Sequence, residues 1–276
     1  MNSMEEKSKK ALEQIRFLMI GVAGVEIVII SLVSLWYVYG KGDAPYLLLF
    51  VGILTISFLG VFQIVLFVKR AAKLKELLWR EIAQKFGYQY THNFSIEKSA
   101  LMFREGSAGT VGHGMSGKLD NHNFRIFEYS YITGTGKNSR SHFYTVFETT
   151  FLGSFPHLYL NNIHNKNLSG IKQFFLPNIS LPTEFEKMFK LYVPKEYEIE
   201  VFEIFTPDIL SHLLNNSWEH DLELVNQKLF IFSEKSITGA KKLEQEIENL
   251  KGFLKQLAPK LDRMSLAPIG DLTHNL

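Results

Sequence analysis

The sequence contains no cysteine. That excludes disulfides, thiolate metal sites of the zinc-ribbon kind and cysteine nucleophiles, and it fits a reducing compartment. A surplus of either charge is missing too: 30 basic residues stand against 28 acidic ones, for a formal net charge of +2. Residues 71–276 hold 23 of each sign. A large nucleic-acid footprint needs a clear basic excess, so no nucleic-acid partner is expected. Neither H-E-x-x-H nor G-x-S-x-G occurs, which removes a helical zinc-protease site and a nucleophile elbow. The nine histidines lack ligand spacing, and no catalytic residue, metal or cofactor is expected.

Charge is also absent locally. Two runs, Phe17–Tyr39 and Tyr46–Val68, have 23 residues each and a single acidic group, Glu26, between them. At 1.5 Å per residue each makes about 35 Å of helix, enough to cross a bilayer with some tilt. The link 40–45 allows only an antiparallel hairpin. Lys7, Lys9, Lys10 and Arg16 precede the first run, and Lys69, Arg70, Lys73, Lys75 and Arg80 follow the second. The positive-inside rule then puts both termini in the cytoplasm, with Trp36, Tyr37, Tyr39 and Tyr46 as an aromatic belt at the far side. The expected location is the cell (inner) membrane, with two passes. A cleaved signal peptide would have a shorter apolar core and a small-residue cleavage site; YVYGKG and a second apolar run follow instead.

Glu26 is expensive at its depth, about 2.5–3.5 kcal/mol, and needs a partner, water or a proton. Ser57 lies at a similar depth. Two readings stand: a protonated or hydrogen-bonded Glu26, held by Ser57 or Thr55, fixes the hairpin packing, or it marks an ion path or a contact with another membrane protein.

Residues 69–86 form an amphipathic juxtamembrane helix, with Leu74, Leu77, Leu78 and Ile82 on one face and Gly87 as its stop. Lys69, Arg70, Lys73 and Lys75 are placed to meet anionic headgroups. The pattern then turns to strands over 124–132, 143–151, 157–160, 196–205 and 228–232, rich in aromatic and β-branched residues. Thr183 and Glu186 open a helix over FEKMFKL as a capping box. Thr206-Pro207-Asp208 opens another. Leu243, Ile247, Leu250, Leu254 and Leu257 give a helix over 236–258 that packs on the domain, with Pro259 ending it and 259–276 as a frayed tail. The expected fold is membrane-anchored α+β: residues 1–16 a basic cytoplasmic N-terminus, 17–68 a transmembrane hairpin, and 87–235 a cytoplasmic domain on a mainly antiparallel sheet.

Gly112–Gly117 matches G-x-G-x-x-G, but a dinucleotide loop needs a strand before it and a helix after it. A β run follows, so it reads as a Gly-rich loop or an edge strand. Gly134-Thr135-Gly136-Lys137 lacks the upstream glycine and the Ser/Thr of a P-loop. His220-Asp221, with Glu219 and Glu223, reads as solvated surface, since adjacent strand residues point to opposite faces.

The segment FEKMFKLYVPKEYEIEVFEIFTPDILSHLL, followed by NQKLFIF, resembles the signature region of an uncharacterised bacterial membrane-protein family. Its clearest pieces are Phe185–Phe189 (Phe-Glu-x-x-Phe) and Thr206-Pro207. The resemblance implies a two-helix anchor with a cytoplasmic α+β domain, and it brings no catalytic residues. The expected function is a membrane-tethered, non-enzymatic interaction or scaffold protein. Its partners would be the lipid bilayer and a protein partner, or a second copy in a homo-oligomer. The acidic stretch 184–223 would meet the protein. Two alternatives stand beside it: a membrane-associated enzyme or sensor built on the Gly106–Gly117 loop, and an accessory subunit of a transporter using Glu26.

Overall fold

The computed structural model describes residues 24, 28–34, 44–92, 94–119, 121–165, 178–215, 218–234, 237 and 239–266. The chain divides into two compact units, Met1–Leu77 and Leu78–Leu276. Glu26, the basic residues before it and most of the first apolar run lie outside the described residues.

In the first unit, residues 28–34 are helical, and helix α1 spans Ala44–Phe86. The stretch from Gly52 has a mean hydropathy of 2.0, with only 6% of its most apolar window buried. Phe58, Val61, Phe62, Ile64 and Val68 are all exposed. Thr55 Oγ1 donates to the Gly52 carbonyl within α1 at 2.9 Å, and in the stretch 28–34 Ser34 Oγ donates to the Ile30 carbonyl at 2.7 Å. Ser57, Lys69, Arg70, Lys73 and Lys75 are exposed on α1.

The second unit is an α+β domain on one antiparallel sheet. Its strands are β1 (Gln89–His92), β2 (Ser107–Leu119), β3 (His122–Thr133), β4 (Arg140–Asn162), β5 (Asn178–Ile179), β6 (Phe189–Tyr192) and β7 (Asp221–Ser233). The order is β1-β2-β3-β4-β6-β5, and β7 pairs β4 along its other edge. β4 is the spine. Its first half pairs β3, from Thr133↔Arg140 to Asn123↔Thr150. Its last residues pair β6, Tyr159↔Tyr192 to Asn162↔Phe189. β7 accompanies it from Thr145↔Ser233 to Leu160↔Leu222.

Alternation divides the side chains between two faces. On the first face Ile126, Phe147, Leu158, Leu160, Leu222, Leu224 and Ile231 form the main core. Helices α3 (Glu198–Ile204), α4 (Pro207–Asn215) and α5 (Ala240–Leu266) cover it. Leu243, Ile247, Leu250, Leu254 and Leu257 of α5 are buried there, as their spacing predicts. Trp79, Ile82 and Ala83 of α1 join the same core. Phe86 stacks on Tyr88 at 5.9 Å and Arg80 lies over Tyr90 at 4.3 Å. From Leu78 to Phe86 the helix therefore runs opposite to β1. The second face is aromatic, with Phe127, Tyr129, Tyr131, Tyr144, Tyr159, Phe230 and Phe232. The segment 94–105 covers it with Leu101, Met102 and Phe103.

Several sequence expectations are corrected. Residues 196–205 are not a strand but a 3₁₀ turn, Lys195–Tyr197, and helix α3. Val201, Ile204 and Phe205 are buried at helical spacing while Phe202 is exposed, so the three- and four-residue period wins over the glutamate alternation. The helix opened at Thr183 stops at Glu186 as α2, without a side-chain N-cap bond. Phe189 and Leu191 alternate inward as β6 instead. The Glu186 half of the capping expectation survives in altered form: its Oε1 accepts the Leu181 N–H at 2.9 Å. Pro259 does not end α5, which runs to Leu266. Leu257, Ala258 and Leu261 keep the apolar stripe going, and the carbonyl that loses its partner belongs to exposed Lys255. Strand 157–160 is part of β4, and 228–232 is the end of a strand beginning at Asp221.

Candidate functional site

The second sheet face holds polar groups inside its aromatic core. Asp221, Glu223 and Val225 share one side of β7, and His157, Tyr159 and Asn161 share the same side of β4, with Tyr159 opposite Glu223. The expected solvated surface at His220-Asp221 is thus overturned. Both are buried, and they do point to opposite faces: His220 bonds Glu246 of α5 at 3.1 Å, while Asp221 enters the aromatic side.

Glu223 is 0% exposed. Its two oxygens accept the Leu101 N–H at 2.8 and 3.0 Å, and Oε1 is 2.6 Å from His157 Nε2. Burial raises its pKa, with His157 opposing. Asp221, 3% exposed, accepts from Tyr159 Oη at 2.8 Å, the Asn162 N–H at 2.8 Å and Asn165 Nδ2 at 3.0 Å. Burial pushes its carboxyl up to about 6 against those hydrogen bonds. Burial, with the Asp221 charge added, drives the Tyr159 hydroxyl well above its ordinary value.

Each carboxylate holds a connecting segment. Glu223 fixes the start of the 3₁₀ turn Leu101–Arg104, and Asp221 fixes the turn after β4. Farther along, Arg125 pairs with Glu148 and donates to the Ser95 carbonyl at 3.1 Å, while Lys228 bridges Glu97 and Glu148. Phe103 packs edge-on against Tyr129 and Phe230. The segment 94–105 is thus clamped to the sheet by ionic, backbone and aromatic contacts together.

What this arrangement can do chemically is bounded by those commitments. An imidazole–carboxylate pair such as His157–Glu223 serves nucleophilic catalysis only when the imidazole also reaches a nucleophile. Ser99 is the nearby hydroxyl in sequence, and its buried Oγ has no hydrogen-bond partner among the described residues. No three His, Cys, Asp or Glu side chains converge for a metal among the described residues. The group behaves as a structural pin.

The glycine motif falls in β2, paired on both sides at Gly114 and Ser116. A Cβ on Gly114 would strike the Phe94 ring, and one on Gly117 the Tyr88 ring. These glycines make room for aromatic rings, not for a phosphate. Gly134 and Gly136 have φ of +75° and +58° at the tip of the β3–β4 hairpin, where a turn needs them.

Sequence reasoning missed Asp221, Glu223 and Tyr159. The signal available was the period-two pattern of Asp221-Leu222-Glu223-Leu224-Val225, which puts both carboxylates on one strand face. Of the acidic stretch 184–223, these two are interior, whereas Glu184, Glu186, Glu196, Glu198, Glu203, Asp208 and Glu219 are exposed.

No family model matches the chain, and no curated protein matches it. Among solved structures, the chain is similar to the crystal structure of the mycobacterial trehalose monomycolate transport factor A. The TM-score is 0.47 at 8% identity, covering 66% of this chain and 95% of that one.

Proposed function

We propose that this chain is a membrane-tethered, non-enzymatic interaction protein of the cell (inner) membrane, with a two-pass anchor and both termini in the cytoplasm. One observation carries the reading: the apolar helix from Gly52, with mean hydropathy 2.0 and almost none of its most apolar window buried. A helix left apolar and uncovered on all sides is stable in hydrocarbon rather than in water. Thr55 in this helix and Ser34 in the stretch 28–34 each bond a carbonyl of their own helix, which suits a lipid environment. Gly52 supports the hairpin: a Cβ there would lie 3.3 Å from Val33 Cγ2, the close approach that small residues allow between membrane helices. Lys69, Arg70, Lys73 and Lys75 then meet anionic headgroups. The exposed glutamates of α2 and α3, with exposed Phe202 among them, provide the face for a protein partner. The interior carboxylates support a non-catalytic role, because both oxygens of each are taken up by the domain's own groups.

The test uses the absence of cysteine. Lys41→Cys is expected to react with a membrane-impermeant maleimide on intact cells, and Lys255→Cys only after lysis. The protein is expected to stay in the pellet after alkaline carbonate washing. Labelling of Lys255→Cys from outside, or release by carbonate, overturns the reading.

A further inference from the structure

β1 is the edge strand of the sheet, and its last residue sets one histidine against another. His92 lies directly opposite His113 of β2, and Tyr90 opposite Met115. Alternation puts all four on one face, that of the main core, where Met115 is fully buried. His113 is half-buried and His92 exposed, so the pair stands where that face meets solvent. The two rings are 4.8 Å apart between centres and meet edge-on, at 68°. His113 Nδ1 is 2.7 Å from Tyr90 Oη. Charges of both signs lie beside the pair. Arg80 sits over the Tyr90 ring at 4.3 Å, and a Glu128 carboxylate oxygen is 3.2 Å from where a Cβ on Gly112 would stand.

That spacing suits a shared ion. An imidazole nitrogen binds zinc at about 2.0–2.1 Å, which puts each ring centre roughly 3.2 Å from the metal. Two ring centres 4.8 Å apart then subtend roughly 97° at the metal, between the cis octahedral and the tetrahedral angle. The Tyr90 bond serves the same end. A histidine that ligates a metal holds its other ring nitrogen to an oxygen partner, which fixes the tautomer and the ring's orientation. With Nδ1–H donating to Tyr90 Oη, His113 presents Nε2 as the ligand atom. His92 is exposed, so rotation about its side-chain bonds aims a nitrogen at the same point. The two histidines stand on different strands, and spacing along the sequence therefore gives no sign of the pair.

We propose that His92 and His113 form a binding site for a late first-row divalent cation of the zinc and copper class, with Tyr90 holding His113 in its ligand tautomer. Among the described residues no third His, Cys, Asp or Glu joins them, so water completes the coordination and the site is open. Imidazole suits zinc, copper and nickel, whereas magnesium and calcium seek oxygen ligands, and this sets the selectivity. Bound there, the ion ties the edge strand β1 to β2, because the paired strands bind it and the unfolded chain does not. The site lies wholly within Leu78–Leu276 and is independent of the membrane anchor.

The test uses the full chain in detergent micelles. Zinc chloride is titrated in a buffer that does not chelate, followed by calorimetry, and copper(II) is the probe for electron paramagnetic resonance. The expected result is equimolar zinc binding that excess magnesium does not displace, and a copper spectrum with the hyperfine pattern of two imidazole nitrogens. His92→Gln and His113→Gln are each expected to abolish the zinc heat and the two-nitrogen pattern. Tyr90→Phe is expected to weaken zinc binding about 10–100-fold while keeping that pattern, a split that a merely structural tyrosine would not produce. His164→Gln, an exposed histidine elsewhere, is expected to change neither. Unchanged circular dichroism certifies that each variant is folded, and His92→Gln at an exposed position carries the test if His113→Gln does not fold. Zinc binding that survives His92→Gln overturns the proposal. So does displacement by magnesium, or a wild-type copper spectrum with fewer than two nitrogens. Unchanged affinity in Tyr90→Phe overturns the part given to Tyr90.

Discussion

At the scale of single residues, the interior carboxylates are the feature with a measurable signature. The Asp221 pKa is raised by burial from 3.8 to about 6. The folded state therefore holds this proton more tightly than the unfolded state does. Its stabilising contribution is fully present below pH 4 and is lost as pH rises through 6. A shift of this size corresponds to roughly 3 kcal/mol. In Asp221→Asn, Oδ1 still accepts from Asn162 and Asn165, and the amide donates to Tyr159 in place of a protonated carboxyl. The expected outcome is that wild type loses stability relative to Asp221→Asn between pH 4 and 6.5, by up to about 3 kcal/mol, measured by urea titration. Glu223 shifts in the same direction but is common to both proteins. A difference between the two that stays flat across this window would show that Asp221 keeps an ordinary pKa. The sequence displayed Asp221 and Glu223 at alternate positions, yet flanking glutamates made them look like surface. Burial of both depends on Leu101 and Asn162, 122 and 59 residues away in the chain, and no local pattern encodes such partners.

At the scale of elements, β3, much of β4, α4 and the terminal helix were legible, whereas most of β2, the first half of β7 and the short elements α3 and β6 were not. β3, the first half of β4 and the stripe of α5 follow from periodicity over many residues. α3 and β6 are short, and in each the polar spacing misleads: Glu196, Glu198 and Glu200 alternate like a strand, while Phe185 and Phe189 are spaced like a helix. What decides is which apolar residues reach the core, and that is a tertiary fact. Pro259 is the clearest case. Proline in a helix interior costs about 3 kcal/mol relative to alanine, and α5 continues past it because Leu257, Ala258 and Leu261 are buried. Since Pro259 is itself exposed, Pro259→Ala removes the penalty without opening a cavity. It is expected to stabilise the domain by about 1–3 kcal/mol, read as a higher urea midpoint with unchanged slope. A lower midpoint would mean that the bend at Pro259 is needed for packing.

At the scale of the whole molecule, the structure divides at Leu77/Leu78, inside the helix that the sequence reading set between anchor and domain. The apolar, charge-poor segment belongs to Met1–Leu77, and the core lies in Leu78–Leu276. The fragment 78–276 is expected to be soluble and to unfold in one transition, with near- and far-ultraviolet circular dichroism changing together. Separate transitions would mean that the aromatic face and the helix-covered face do not cooperate. The apolar helix from Gly52 was legible because Tyr46–Val68 is a run of 23 uncharged residues, the length that hydrocarbon thickness selects. The interior of the domain was less so, because its sheet order joins segments far apart in the chain.

That sheet order has a consequence during synthesis. β4 is complete once Asn162 has been made, but the edge facing β7 stays open until Ser233, the partner of Thr145, is made 71 residues after Asn162. At 5–20 residues per second that interval is roughly 4–14 s. For all of it an aromatic strand has one unpaired side, the kind of edge that another chain can pair with.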